Sequence, residues 1–98
     1  MSETGLSRVE KIKASLHSAL QPDFLDIEDD SAAHAGHAGH AGARAGGGHF
    51  NVYIVSEKFA QQTLIQRHRL VYEAVDHLMG KDIHALSLVT KTPAEVKT

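Results

Sequence analysis

Two hydrophobic spacings alternate along the chain, and the switches between them mark its elements. Val9, Ile12, Leu16 and Leu20 recur at intervals of three and four, so on a helix they form one apolar stripe. Ser7 and Glu10 make a capping box at the start of that stripe, and Pro22, which lacks an N–H, cannot continue it. From Phe24 to Asp30 the period falls to two: Leu25 and Ile27 alternate with Asp26 and Glu28, the pattern of a strand with one buried face. The same period returns at Phe50, Val52 and Ile54, and these two strands are expected to pair. Thr63 and Gln66 form a second capping box. Leu64, His68, Val71, Val75 and Leu78 then share a helical stripe, and Gly80 supplies a left-handed stop, which predicts a helix over about 64–79. The connector Lys58 to Gln62 has room for one helical turn. Leu86, Leu88 and Thr90 alternate with Ala85, Ser87 and Val89 in a third strand that ends before Pro93.

The order α-β-β-α-β predicts an α+β two-layer domain, with a three-stranded sheet covered on one face by helices that bury both apolar stripes. A chain of 98 residues suits a single domain over 1–98. Between the first two strands, from about 31 to 48, the residues are almost wholly Ala, Gly and His, with His34-Ala35-Gly36 repeated at His37 and His40. Such a tract offers little apolar area against the ~1 to 2 kcal/mol of backbone entropy lost per ordered residue, so a flexible loop is expected.

Composition narrows the chemistry. The 42% apolar and 22% charged residues are those of a folding chain. Ten basic against twelve acidic side chains leave no general surface for a polyanion. Eight histidines are the anomaly, since their full protonation would carry the formal charge from −2 to +6. There is no cysteine, hence no disulfide, no thiol nucleophile and no thiolate for an iron–sulfur cluster held alone. No apolar run approaches the ~18 residues of a membrane span, and the N-terminus lacks the pattern of a signal peptide, so the expected compartment is the cytoplasm, without membrane contact.

Three features could carry function, and each also has a plain structural reading. His34, His37 and His40 could converge on a borderline metal such as zinc, copper, nickel or iron; equally, a histidine-rich tract binds metal only adventitiously or not at all. His84 stands at the entrance to the last strand, where a side chain is well positioned and its tip accessible, although most histidines there are surface residues. Arg67 and Arg69 flank His68 near the start of the long helix. His68, on the apolar stripe, reads as a structural, half-buried histidine bonded to backbone; the arginines could grip phosphate or a partner's carboxylate, or simply be solvated. No nucleophile, paired carboxylate or phosphate loop has the surrounding motif that catalysis needs, so an enzyme is not expected.

The run Arg67-His68-Arg69-Leu70-Val71-Tyr72, with Val55-Ser56-Glu57-Lys58-Phe59 before it and Ile83-His84-Ala85-Leu86-Ser87-Leu88 and Thr92-Pro93-Ala94-Glu95 after it, resembles the BolA family. Asp30-Ser31-Ala32-Ala33-His34 and His49-Phe50-Asn51-Val52 also fit its pattern, so the resemblance extends over roughly 7–95 apart from the long loop. It implies an α-β-β-α-α-β fold similar to a type II KH domain, with a short extra helix near 57–61. It also implies one of two roles. In the first, the protein partners a monothiol glutaredoxin and shares a 2Fe-2S cluster in iron–sulfur trafficking or iron and redox regulation. His84 and His34 then match the family's ligands, with His37 and His40 as loop alternatives, and glutaredoxin and glutathione supply the thiolates. The isolated chain would bind no cluster and would be a monomer, forming a heterodimer with its partner. In the second, the protein is a DNA-binding transcriptional regulator using Arg67 and Arg69. The connector Phe59-Ala60-Gln61-Gln62 lacks the GXXG device by which KH domains clamp nucleotides, which weighs against that role. A histidine-loop metal buffer acting without a partner is a third reading.

Overall fold

The computed structural model describes residues 7–30 and 48–97. Helix α1 spans Arg8–Leu20, strand β1 Phe24–Asp29 and strand β2 Gly48–Val55; a 3-10 turn follows at Glu57–Phe59, where the family pattern placed the extra helix. Helix α2 covers Leu64–Ala74, a second 3-10 turn Asp76–Leu78, strand β3 Ile83–Lys91 and helix α3 Pro93–Lys97. This is the expected α+β arrangement, with a mixed sheet in the order β1-β2-β3. β1 and β2 run antiparallel, from Phe24 opposite Val55 to Asp29 opposite Phe50. β2 and β3 run parallel, from Gly48 opposite Ile83 to Val55 opposite Lys91.

The apolar stripes identified in the sequence meet on one face of the sheet. Ile12, Leu16 and Leu20 of α1, Val71 and Val75 of α2 or its cap, and Phe50, Val52 and Ile54 of β2 are buried together, closed off by Phe59, Leu78 and Ile83. Strand period two turns Phe24, Asp26, Tyr53 and Val89 to the opposite face, which no described helix covers broadly.

Each boundary has a local cause. Ser7 Oγ accepts from Glu10 N at 3.1 Å to start α1, and Gln21, at φ 47° and ψ 57°, ends it in the left-handed region. Thr63 and Gln66 form the reciprocal capping box of α2, with bonds of 3.1 and 2.9 Å. The long helix is shorter than its periodicity predicts. Val75, at φ −111° and ψ 15°, leaves the α conformation, and the chain tightens so that Leu78 N bonds Val75 O at 2.8 Å. Tightening keeps both Val75 and Leu78 buried while turning the chain toward Gly80, whose φ of +82° only glycine adopts without strain. Leu64, assigned to the buried stripe, is 63% exposed, because the first turn of α2 is held by its cap rather than by packing. The histidine-rich segment expected to be a flexible loop lies, apart from Gly48, outside the described residues.

Ser56 ties this layer together. It is fully buried, and its hydroxyl donates to Leu20 O at 2.7 Å while accepting from Lys58 N at 3.1 Å, joining the end of α1 to the exit of β2. Ser56→Ala leaves that carbonyl and that N–H without their partner, so the urea midpoint should fall by an amount equivalent to about 1–3 kcal/mol with an unchanged m-value. An unaltered midpoint would mean that the two bonds contribute nothing net.

Candidate functional site

The most strongly positioned accessible histidine is His84. It follows Ile83, which is fully buried and anchors the start of β3 in the core. Gly80 N bonds Ile83 O at 2.8 Å and Asp82 N bonds Leu78 O at 2.9 Å, so a closed turn delivers the chain into the strand. Asp82 is also held from α1, by Lys11 at 3.3 Å and Arg8 at 3.7 Å. Beside this turn the parallel register slips by one residue: Gly48 faces Ile83 and His49 faces Ala85, leaving His84 as the extra residue of a bulge. A bulge frees its extra residue from the ladder and re-aims its side chain, and His84 is exposed.

The same pairings gather other chain segments around His84. Asp30 N bonds His49 O at 2.8 Å and Gly48 N bonds Asp82 O at 3.0 Å, so both ends of the 31–47 segment are fastened at this end of the sheet. His49 is half-buried two residues from that segment, a neighbour that the sequence reading did not single out. His34, His37 and His40 lie outside the described residues. Among the described residues no three His, Cys, Asp or Glu side chains gather as a metal site would require. The other described histidines stand elsewhere; His77, for example, contacts Ser15 Oγ at 3.2 Å on the helical side.

The second candidate cluster separates into unlike parts. Arg67 is not a free cation on an exposed helix. Its guanidinium makes a two-pronged pair with Glu95, both bonds 2.9 Å, and also donates to Thr90 O at 3.2 Å and Gln62 O at 3.1 Å. Only 13% of the Arg67 side chain is accessible, because α3 folds back over it. The signal for α3 was present in Thr92-Pro93-Ala94-Glu95: Glu95 N bonds Thr92 Oγ1 at 3.2 Å, Thr92 N bonds Glu95 Oε1 at 2.9 Å, and proline suits the first helical position. Arg69 is exposed. His68 is half-buried, and its buried Nε2 has no hydrogen-bond partner among the described residues.

The described residues thus form a helix-backed three-stranded sheet that presents an exposed histidine at a bulged strand entrance. A family model described as BolA-like protein matches residues 16–95. The chain belongs to the BolA-like family. It is 45% identical over 92 residues to SufE-like protein 1, chloroplastic/mitochondrial, of Arabidopsis thaliana, covering 92% of this chain and 25% of that protein. It is 45% identical over 89 residues to Protein BOLA1, chloroplastic, of the same plant, covering 91% of this chain and 56% of that one. The chain thus spans only a quarter to a little over half the length of these relatives. Among solved structures, the BolA domain of SufE1 from Arabidopsis thaliana superposes with a TM-score of 0.76 at 42% identity, over 92% of this chain and 96% of that one.

These relatives overturn the expectation of a cytoplasmic protein, since both are named for chloroplast or mitochondrion. The error has a physical source: an organelle address is read by receptors from a targeting segment, and the composition of a folded domain carries no record of it. Among the described residues, no helix is long and apolar enough to cross a membrane.

The Arg67–Glu95 pair makes a pH prediction. The Arg67 hydrogen bonds, followed by the Thr92 N–H, lower the Glu95 carboxyl from 4.5 to about 2. A depressed carboxylate contributes stability above its unfolded value, and the contribution is lost as pH falls through the folded one. The stability difference between wild type and Glu95→Gln should therefore hold steady above about pH 4.5 and shrink toward pH 2, read by urea unfolding at a series of pH values. A difference independent of pH across that window would show that the pair is not formed in solution.

Proposed function

We propose that this protein is the partner of a monothiol glutaredoxin and completes, with His84 and one histidine of the 31–47 segment, the ligand set of a shared 2Fe-2S cluster. The observation that carries this reading is the bulge at the start of β3, which presents His84 at the same sheet end where both ends of the histidine-bearing segment are fastened. His34 is four residues beyond Asp30, and a chain of that length reaches up to about 14 Å, so His34 has the span to approach His84. His37 and His40 are the alternatives.

The donor set fits a shared cluster and not a resident one. Cysteine is absent, and His84 is one accessible imidazole on a rigid strand, so glutaredoxin and glutathione would provide the thiolates. A cluster with imidazole in place of two thiolates has a raised potential and couples electron transfer to protonation. This chain's contribution is to hold His84 in one position through Ile83, the Gly80 turn and Asp82, so that little ordering is needed when the partner docks. The name of the SufE-like relative is compatible with an iron–sulfur setting and supports the reading at that coarse level.

DNA binding through α2 is the weaker reading. It needs Arg67 and Arg69 together, and Arg67 is already neutralised by Glu95, leaving one exposed guanidinium on a face with little to hold a polyanion.

The test is to mix the protein with a cluster-loaded monothiol glutaredoxin and follow visible absorption and circular dichroism. A new spectrum should appear with wild type and be lost with His84→Ala, and single alanine replacements of His34, His37 and His40 should identify the second ligand. A spectrum that persists with His84 and all three loop histidines replaced would overturn the proposal.

A further inference from the structure

Away from His84, on the sheet face opposite the main core, lies a groove of about 690 Å³. Its floor is Phe24 and Tyr53, which meet edge to face with ring centroids 5.9 Å apart, and one wall is α3 through Val96. Phe24 is 55% exposed, Val96 50% and Val89, beside Tyr53 in the sheet, 44%. Apolar side chains clustered on one face, rather than scattered, mark a contact surface.

The charges around the groove indicate what covers it. Asp26 stands on the β1 side and Lys97 on the α3 side. A polyanion would meet Asp26 and a polycation would meet Lys97. Charges of opposite sign lie on opposite sides of this face, Asp26 and Glu28 on β1 against Lys91 at the end of β3 and Lys97 on α3, so the face is complementary to itself: a two-fold axis lying in the groove sets each Asp26 against the other copy's Lys97 while the aromatic floors meet at the centre. We propose that this face is the interface of a symmetric homodimer.

The extent of the face sets the strength. Three strands at ~4.8 Å spacing, with α3 at one end, offer roughly 400–500 Å² per copy, against about 800 Å² for a standard stable interface. The dimer is therefore a weak and reversible one. It also leaves the candidate ligand exposed, because His84 and Lys91 are separated by seven residues of β3, or ~23 Å of strand, and the groove is at the Lys91 end. Each copy could thus engage a glutaredoxin while dimerised, and the two proposals fail independently.

The experiment is sedimentation equilibrium of the full chain across a concentration series up to about 1 mM, with Asp26→Lys, with Lys97→Asp, and with the two variants mixed in equal amounts. Circular dichroism of each variant verifies that it is folded. The expected result is concentration-dependent dimerisation of wild type, weakened at least ten-fold in each variant alone, where like charges face each other. The mixture should regain the dimer, because a heterodimer of the two variants carries only opposite charges across both contacts. A wild type that stays monomeric throughout, a dimer indifferent to both charge reversals, or a mixture as monomeric as its components would each overturn the proposal.

Discussion

The parallel pairing of β2 with β3 is the constraint from which the rest of the domain follows. Antiparallel strands can be joined by a short turn, but parallel neighbours need a crossover over the face of the sheet. Having left β2 at Val55, the chain must return to the far end before β3 can begin at Ile83 beside Gly48. The 3-10 turn at Glu57–Phe59, helix α2 and the Gly80 turn are the parts of that return path, and they cover the face on which Phe50, Val52 and Ile54 are buried. Ser56 fixes where the path departs, and Asp82, held from α1, fixes where it comes back.

Because β2 and β3 start together, the beginning of β3 lies beside the end of the long β1–β2 connection. His84 shares one end of the sheet with Asp30 and Gly48, the residues that flank the histidine-bearing segment, as a result of topology. The one-residue slip opposite His49 then lifts His84 out of the ladder at this end. At the other end of the same strand, Arg67 draws Glu95 and helix α3 back over the start of α2, and that return builds a wall of the groove beside Phe24 and Tyr53. A guanidinium that reads as a surface cation in the sequence is a fastener in the structure, and the apolar face it helps frame is a separate surface from the histidine end.

Much of the architecture was legible because it rests on local rules. Ser7, Thr63 and Gly80 announce element ends through hydrogen bonds and backbone conformations that need only neighbouring residues, and period two marks β1, β2 and β3 by which side chains must face a core. Legibility failed where a distant partner decides. Periodicity could not show that α2 tightens at Val75, since that depends on seating Leu78 against the core. It overlooked α3, whose five residues carry too little pattern despite the Thr92–Glu95 box. It also treated Arg67 as free, because Glu95 is 28 residues away in the chain.

The sequence by itself determined the family, the α+β class and the want of any cysteine, because these depend on residue identity and short-range spacing. Tertiary structure alone decided that His84 stands free in a bulge, that Arg67 is consumed by Glu95, and that Phe24, Tyr53, Val89 and Val96 gather on one open face. Each of those outcomes depends on register and crossover. Register and crossover are set by burial of the whole hydrophobic face at once, a collective quantity that no local window of sequence contains.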